Sequence, residues 1–280
     1  MVTKKHRKNL GIDIGGTKVY SAIVLSDGTI LREHKKQFRN PFNDRDVLTD
    51  IEESITNLLT DEIESIGIGI PAIPDGISGK STTKNCPNLK LLEHRDIKEY
   101  IENKYRIPVR LENDANCFIV GEHICGAGKN YSDCVGLTLG TGIGCGIILD
   151  GQLRRGSTWH CGEIFDIKLG NNLVLEDILS ARYITEQTGT VDAKESAYLA
   201  NSGDKKSISV WNEYGKWLGW IISVINRVID PEIFILGGSL SLSYNLFYKE
   251  MRRNIDNIKT KIVVSKLKEK SAVIGASLIK

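Results

Sequence analysis

"LGIDIGGTKVYSAIVL", Leu10 to Leu25, sets a glycine pair and an aspartate between two apolar, β-branched runs. A phosphate-binding P-loop is the first chemistry such a stretch suggests, and its detail excludes that motif. A P-loop needs a glycine, four residues, then Gly-Lys-Ser/Thr opening a helix. Counting from Gly11 reaches Gly16, but Thr17 and Lys18 follow in the wrong order, and Val19 to Leu25 has the composition of a strand. The stretch reads as strand, glycine turn, strand.

A second copy lies downstream. "VGLTLGTGIGCGIIL", Val135 to Leu149, aligns without a gap on the first, with Gly11 on Gly136, Asp13 on Thr138 and Gly15 on Gly140. Each copy is followed by a turn dipeptide, Asp27-Gly28 and Asp150-Gly151, a strong short-range hairpin signal. Two matched hairpins, each opening one half of the chain, imply two lobes of common design that grip something between them.

Composition bounds what that something is. The chain has 280 residues, 41% apolar and 26% charged, enough for two domains with their own cores. A net charge of +2 gives no electrostatic case for nucleic acid or a membrane surface. Lys4-Lys5-His6-Arg7-Lys8 reads as a solvated tail, and Asp13, Gly15, Gly16 and Lys18 interrupt the apolar stretch that a signal peptide needs. The six cysteines, Cys86, Cys117, Cys125, Cys134, Cys145 and Cys161, form no C-x-x-C pair and sit mostly among apolar residues, as reduced thiols of a cytoplasmic protein do.

Periodicity predicts strands at about 9–14, 19–25 and 29–37, and a helix near 44–60 with Val47, Leu48, Ile51, Ile55 and Leu58 on one face. A buried strand ends at Pro71, helix 94–104 leads to a strand at 107–112, and a helix begins at "NDANC". After the second hairpin come helices near 174–188, 192–201 and 206–229, the strand "EIFIL", a helix at about 241–259, a strand at 261–265 and the terminal helix "SAVIGASLI". Trp211, Tyr214, Leu218, Ile221, Ile225 and Val228 recur at helical spacing and read as core. With no low-complexity linker, the boundary near 117–130 reads as a hinge between packed lobes.

Asp114 is the sharpest chemical candidate. It stands in "RLENDANC", past an apolar strand at the mouth of a helix, where ligands of α/β folds gather. Helix capping is the plain alternative, but Asn113 and Asp114 are one polar residue more than a cap needs. A carboxylate facing the γ-phosphate of a nucleotide can take the proton of an attacking hydroxyl. Gly15-Gly16-Thr17 and Gly140-Thr141-Gly142 would bring backbone amides close to phosphate oxygens, with the threonine hydroxyls as added donors. Asp13 would hold Mg²⁺ through water, and Lys18 either reaches a phosphate or is solvated. Gly237-Gly238, directly after a buried strand, is either backbone that approaches a base or ribose, or a plain turn.

"GIDIGGTK", "ENDAN", "LGTGIGCGIILDGQLRRG", "GEI", "IDPEIFILGG" and "VIGAS" together resemble, in order and spacing, the ROK family (repressors, open reading frames and sugar kinases). The resemblance runs from about residue 9 to 279 and is weakest over 40–60 and 185–225. It implies an α/β, two-lobed, actin-like ATPase fold shared with hexokinases, a duplicated core with ATP, Mg²⁺ and sugar in the interlobe cleft. The expected lobes are 1–117 with 266–280, carrying sugar and the first phosphate hairpin, and 118–265, carrying the nucleotide. By the same resemblance Asp114 is the catalytic base, and Asn113, Glu163, Glu176 and Asn88 are sugar contacts. Carboxylates suit a sugar because they accept hydrogen bonds from neighbouring hydroxyls.

The departures from the family pattern carry expectations of their own. The family usually sets a histidine and three cysteines between those two glutamates, binding a structural zinc. "EIFDIKLGNNLVLE" is short here and holds neither, and His160 with Cys161 upstream do not complete a tetrahedral site, so no zinc is expected. Asp166 falls where the family has histidine and joins the expected sugar contacts, adding negative charge unless Arg154 or Arg155 meets it. That crowding predicts at least one unusually high carboxylate pKa. Too few residues precede the first hairpin for the DNA-binding domain of the family's repressors. The resulting expectation is a cytoplasmic sugar kinase acting on glucose or a relative. Mannose, fructose, allose, an N-acylhexosamine or a polyol are alternative substrates, and a non-catalytic sugar sensor is the rival reading. The expected partners are sugar and ATP, without nucleic acid or membrane, with a homodimer as an open option.

Overall fold

A computed structural model describes residues 7–74, 81–82, 89–255 and 259–280. Two five-stranded sheets organise it. Across the first run Ile30–Gln37, Lys18–Leu25, Lys8–Ile14, Ile63–Ile70 and Val109–Asn113; across the second, Gln152–Leu153, Ile143–Leu149, Cys134–Leu139, Ile233–Gly237 and Lys261–Val264. In each, a three-stranded antiparallel meander is extended by two parallel strands. The gapless alignment of the two hairpins is thus a repeat of whole sheet topology. Asp13 pairs with Tyr20 and Thr138 with Gly144, the last pair but one before the turn in either copy.

Each sheet buries its own core. Val47, Ile51 and Ile55 of the Asp44–Thr56 helix and Ile97 and Ile101 of the Ile97–Tyr105 helix cover the first. The second is covered by the long Lys205–Ile229 helix, where Trp211 stacks on Phe247 with centroids 6.1 Å apart and Tyr214 meets Phe247 edge-on. The expected core stripe of that helix is buried except for Val228, which is 81% exposed at the helix end, beside the left-handed Asp230 cap.

Two helices lie between the sheets, Asp114–Cys125 and Ser271–Leu278, and their close approach depends on glycine. A Cβ at Gly67 would fall 1.7 Å from the Ala276 carbonyl oxygen, and one at Gly275 would fall 1.7 Å from that of Cys117. The chain passes between the sheets beside Glu122, whose carboxylate is fully buried. It accepts the hydroxyls of Ser265 (2.6 Å) and Ser271 (2.7 Å) and the amides of Leu267 (2.9 Å) and Ala127 (2.8 Å). A buried carboxylate requires such a set of donors.

Several predicted helices are subdivided. The 94–104 helix is Leu91–His94 and Ile97–Tyr105, because Asp96 caps a fresh start by accepting the Glu99 amide at 2.9 Å. In place of a continuous 174–188 helix there is a small hairpin, Lys168–Gly170 with Leu173–Val174. It turns through Asn171 and Asn172 at φ 49° and 61°, the left-handed pair that tight hairpins favour. Helices Leu175–Ile178 and Ala181–Thr188 follow, the second capped by Ser180. The 241–259 helix is a 3₁₀ turn, Ser239–Ser243, then Tyr244–Arg253.

Candidate functional site

A cleft of about 330 Å³ opens between the sheets. It gathers Asn113 and Asp114 from the end of a first-sheet strand, Gly140, Thr141 and Gly142 from the second hairpin turn, Glu163, Glu176 and Gly238. Segments far apart in sequence therefore converge where the carboxyl ends of strands meet, the expected location of ligands in such sheets.

Asn113 settles what Asp114 does locally. Asn113 is the N-cap: its Oδ1 accepts the amides of Ala115 (2.9 Å) and Asn116 (3.2 Å), and its Nδ2 donates to the Ala72 carbonyl at 3.3 Å. Among the described residues Nδ2 has no other acceptor, which leaves one of its hydrogens for a ligand. Asp114 is the first helical residue and is not the cap. Its carboxylate is half-buried and accepts the Ala115 amide at 2.8 Å. Burial raises its pKa from 3.8 to about 6, against the lowering effect of the helix amides.

Asp13 is the neighbour that matters most. Its pKa rises to about 7, first through burial, then through the negative charge of Asp114, with Lys18 acting in the opposite direction. The two carboxylates are therefore close enough for the charge of one to oppose ionisation of the other. Asp13, the turn residues Gly15, Gly16 and Thr17, and Lys18, which opens the next strand, are not among the residues lining the cleft. In both turns the leading glycine amide is used internally. Gly15 donates to the Lys18 carbonyl (2.9 Å) and Gly140 to that of Gly142 (3.0 Å), so those two glycines contribute space and no donor.

Glu176 lies against the second turn. A Cβ at Gly142 would stand 1.9 Å from Glu176 Oε1, and the Ile143 amide donates to the carboxylate. Burial raises the Glu176 pKa. Carboxylate pKa values are raised at Asp13, Asp114 and Glu176, with burial as the leading cause in each and not the crowding expected around Asp166. Asp166 is exposed and absent from the cleft lining, where Phe165 stands instead. Arg154 and Arg155 are engaged elsewhere, with Asp150 (2.8 Å) and Glu112 (2.6 Å).

Of the glycine pair after the buried strand, Gly238 lines the cleft at φ 78°, whereas Gly237 is buried on the Phe118 ring. A Cβ at Gly237 would fall 2.3 Å from that ring, so its need for glycine is packing. Asn88 and Cys86 lie outside the described residues. The five described cysteines are free thiols. The short hairpin between Phe165 and Leu175 supplies no thiolate or imidazole, so a structural zinc does not fit there. Among the described residues no helix is long and apolar enough to cross a membrane.

Sequence reading missed two features. Phe165 was hidden because only the hairpin's path decides which neighbour of Glu163 faces inward. Glu112 belongs to the expected strand, and a charged residue ending an apolar strand is the signal that marks it. It is fully buried and paired with Arg155.

The ROK family profile matches residues 9–280, and the chain belongs to the ROK family. It is 26% identical to the glucokinase of Streptomyces coelicolor, with 96% of each chain covered. It is 27% identical to the xylose repressor of Bacillus spizizenii, covering 91% of this chain and 70% of that protein. Among solved structures, the ROK family glucokinase of Streptomyces griseus in complex with glucose and AMPPNP superposes with a TM-score of 0.81 at 25% identity, covering 96% of this chain and 98% of that one. The fold is the two-lobed, actin-like ATPase fold, with its duplicated core.

Proposed function

We propose that this protein is a cytoplasmic, ATP-dependent sugar kinase that transfers the γ-phosphoryl group of ATP to a hexose hydroxyl, with the 6-hydroxyl of glucose as first candidate. The observation that carries this reading is Asp114. It is freed from capping by Asn113, its pKa is raised to about 6, and it lies in one cleft with a glycine turn and two further carboxylates. A base with a pKa just below neutrality is ionised at neutral pH and still basic enough to take a hydroxyl proton.

In this reading Asp114 accepts the proton of the attacking hydroxyl, while Asn113, Glu163 and Glu176 hold the other hydroxyls. Gly140, Thr141, Gly142 and Gly238 border the nucleotide. Gly16, Thr17 and Lys18 approach the phosphates from the first hairpin as the lobes close. Mg²⁺ arriving with the nucleotide neutralises charge on the phosphates, and Asp13 would hold it through water. We take the lobes to be 1–117 with 266–280 and 118–265. The complex of the Streptomyces griseus relative with glucose and AMPPNP supports sugar and nucleotide as the ligands.

Similarity to a xylose repressor, at the same level of identity, supports a second reading as a sugar-sensing protein without catalysis. A panel of hexoses, pentoses, N-acylhexosamines and polyols in a coupled ADP-release assay separates the two. Sugar-dependent ADP release that disappears in Asp114→Asn supports the kinase. Calorimetric sugar binding with no ADP release from any member supports the sensor.

A further inference from the structure

We infer that Arg155 is a positioning residue for the catalytic carboxylate: through Glu112 it ties the loop ahead of Glu163 to the helix turn that carries Asp114. The inference rests on Asp114 being the base of the proposed kinase.

Glu112 precedes the Asn113 cap and is fully buried. One carboxylate oxygen, Oε1, accepts the Asn113 amide (3.0 Å) and Asn116 Nδ2 (2.9 Å); the other, Oε2, accepts Arg155 Nε at 2.6 Å. Asn116 is in turn held by Asn113 through its own amide. The first turn of the Asp114–Cys125 helix is thus fastened from below by a single buried carboxylate. That carboxylate's only ion-pair partner among the described residues comes from the opposite sheet's side of the cleft.

Arg155 is itself held in place. It follows the Gln152–Leu153 strand, its carbonyl accepts the Cys161 amide at 3.1 Å, and its guanidinium lies 5.1 Å from the Trp159 ring centroid. Trp159 has φ 63°, a left-handed backbone that a bulky residue adopts only where its surroundings impose it. The Arg155–Trp159 stack supplies such a constraint. Glu163, four residues beyond Trp159, lines the same cleft as Asp114. Substrate contact and base are therefore joined through Arg155 and Glu112, and a shift in either loop or helix moves the other.

A buried charge left alone is destabilising, so R155Q by itself confounds position with folding. The decisive variant is R155Q combined with E112Q, which removes the charge with its partner and keeps an oxygen for the Asn113 and Asn116 donors. Expected for the double variant are a melting temperature near the parent's, sugar affinity by calorimetry within about threefold, and kcat lowered about 10- to 100-fold, the scale of a misplaced reacting group. Amide exchange at Ala115 and Asn116 is expected to speed up at least about tenfold, a local opening that needs no turnover to measure. If kcat and the exchange of those amides both return to parental values once the charge is balanced, Arg155 serves only to neutralise Glu112 and the inference fails. If the parent releases no ADP with any sugar, the kinase reading fails instead. Unchanged exchange in the double variant then overturns the tie independently.

Discussion

Asn113 accepts the Ala115 and Asn116 amides and so relieves Asp114 of the capping role that its position would otherwise give it. Capping and chemistry compete for the same side chains at a helix N-terminus, and in the proposed kinase adjacent residues divide them. Asp114→Asn should leave sugar affinity within about tenfold and lower kcat by about 10² to 10⁴, because asparagine keeps the shape and accepts protons poorly. Calorimetry and ADP release measure the two quantities. Near-normal turnover would move the base elsewhere.

The acid limb of kcat/KM should lie near the Asp114 pKa of about 6. A base works deprotonated, so activity is present above that pH and is lost as pH falls through it. An aspartate at the ordinary 3.8 would place the limb far lower. A pH-rate profile at saturating Mg²⁺ and ATP distinguishes them.

Asp13→Asn should stabilise the free protein while abolishing turnover. The Asp13 carboxyl has its pKa raised from 3.8 to about 7, so the folded state binds more protons than the unfolded one between those values. Its contribution to stability therefore falls as pH rises through that window and stays low above about 7. Removing the charge should raise Tm at pH 8 by about 2–4 °C for each kcal/mol recovered, and by less at pH 4. A Tm that drops equally at both would argue that Asp13 is structurally paired.

Gly67→Ala tests the packing between the sheets. The new methyl would meet the Ala276 carbonyl at 1.7 Å, which is backbone and cannot swing aside. A loss of about 1–3 kcal/mol or more is expected in urea unfolding. Gly151→Ala is a useful contrast, since open space surrounds Gly151 and only its φ of 71° opposes the change.

Asp166→Ala should alter neither kcat nor KM for any accepted sugar, because the side chain is exposed and Phe165 takes the wall position. A shift in sugar preference in the steady-state panel would restore Asp166 to the pocket.

The sequence alone determined the duplication, the strand-turn-strand character of both hairpins and the prominence of Asp114. These are local properties: side-chain period, turn chemistry and the polarity of a strand's end are encoded in neighbouring residues. Only the tertiary structure decided which of two adjacent polar residues caps the helix, and that Gly237 serves Phe118 while Gly238 serves the cleft. The same holds for Phe165 facing inward in place of Asp166, and for Arg155 answering a buried Glu112. Each of those depends on where a distant segment arrives. Burial, and with it the cost of an unpaired charge or the space for a Cβ, is set by packing across the chain and not by residue order.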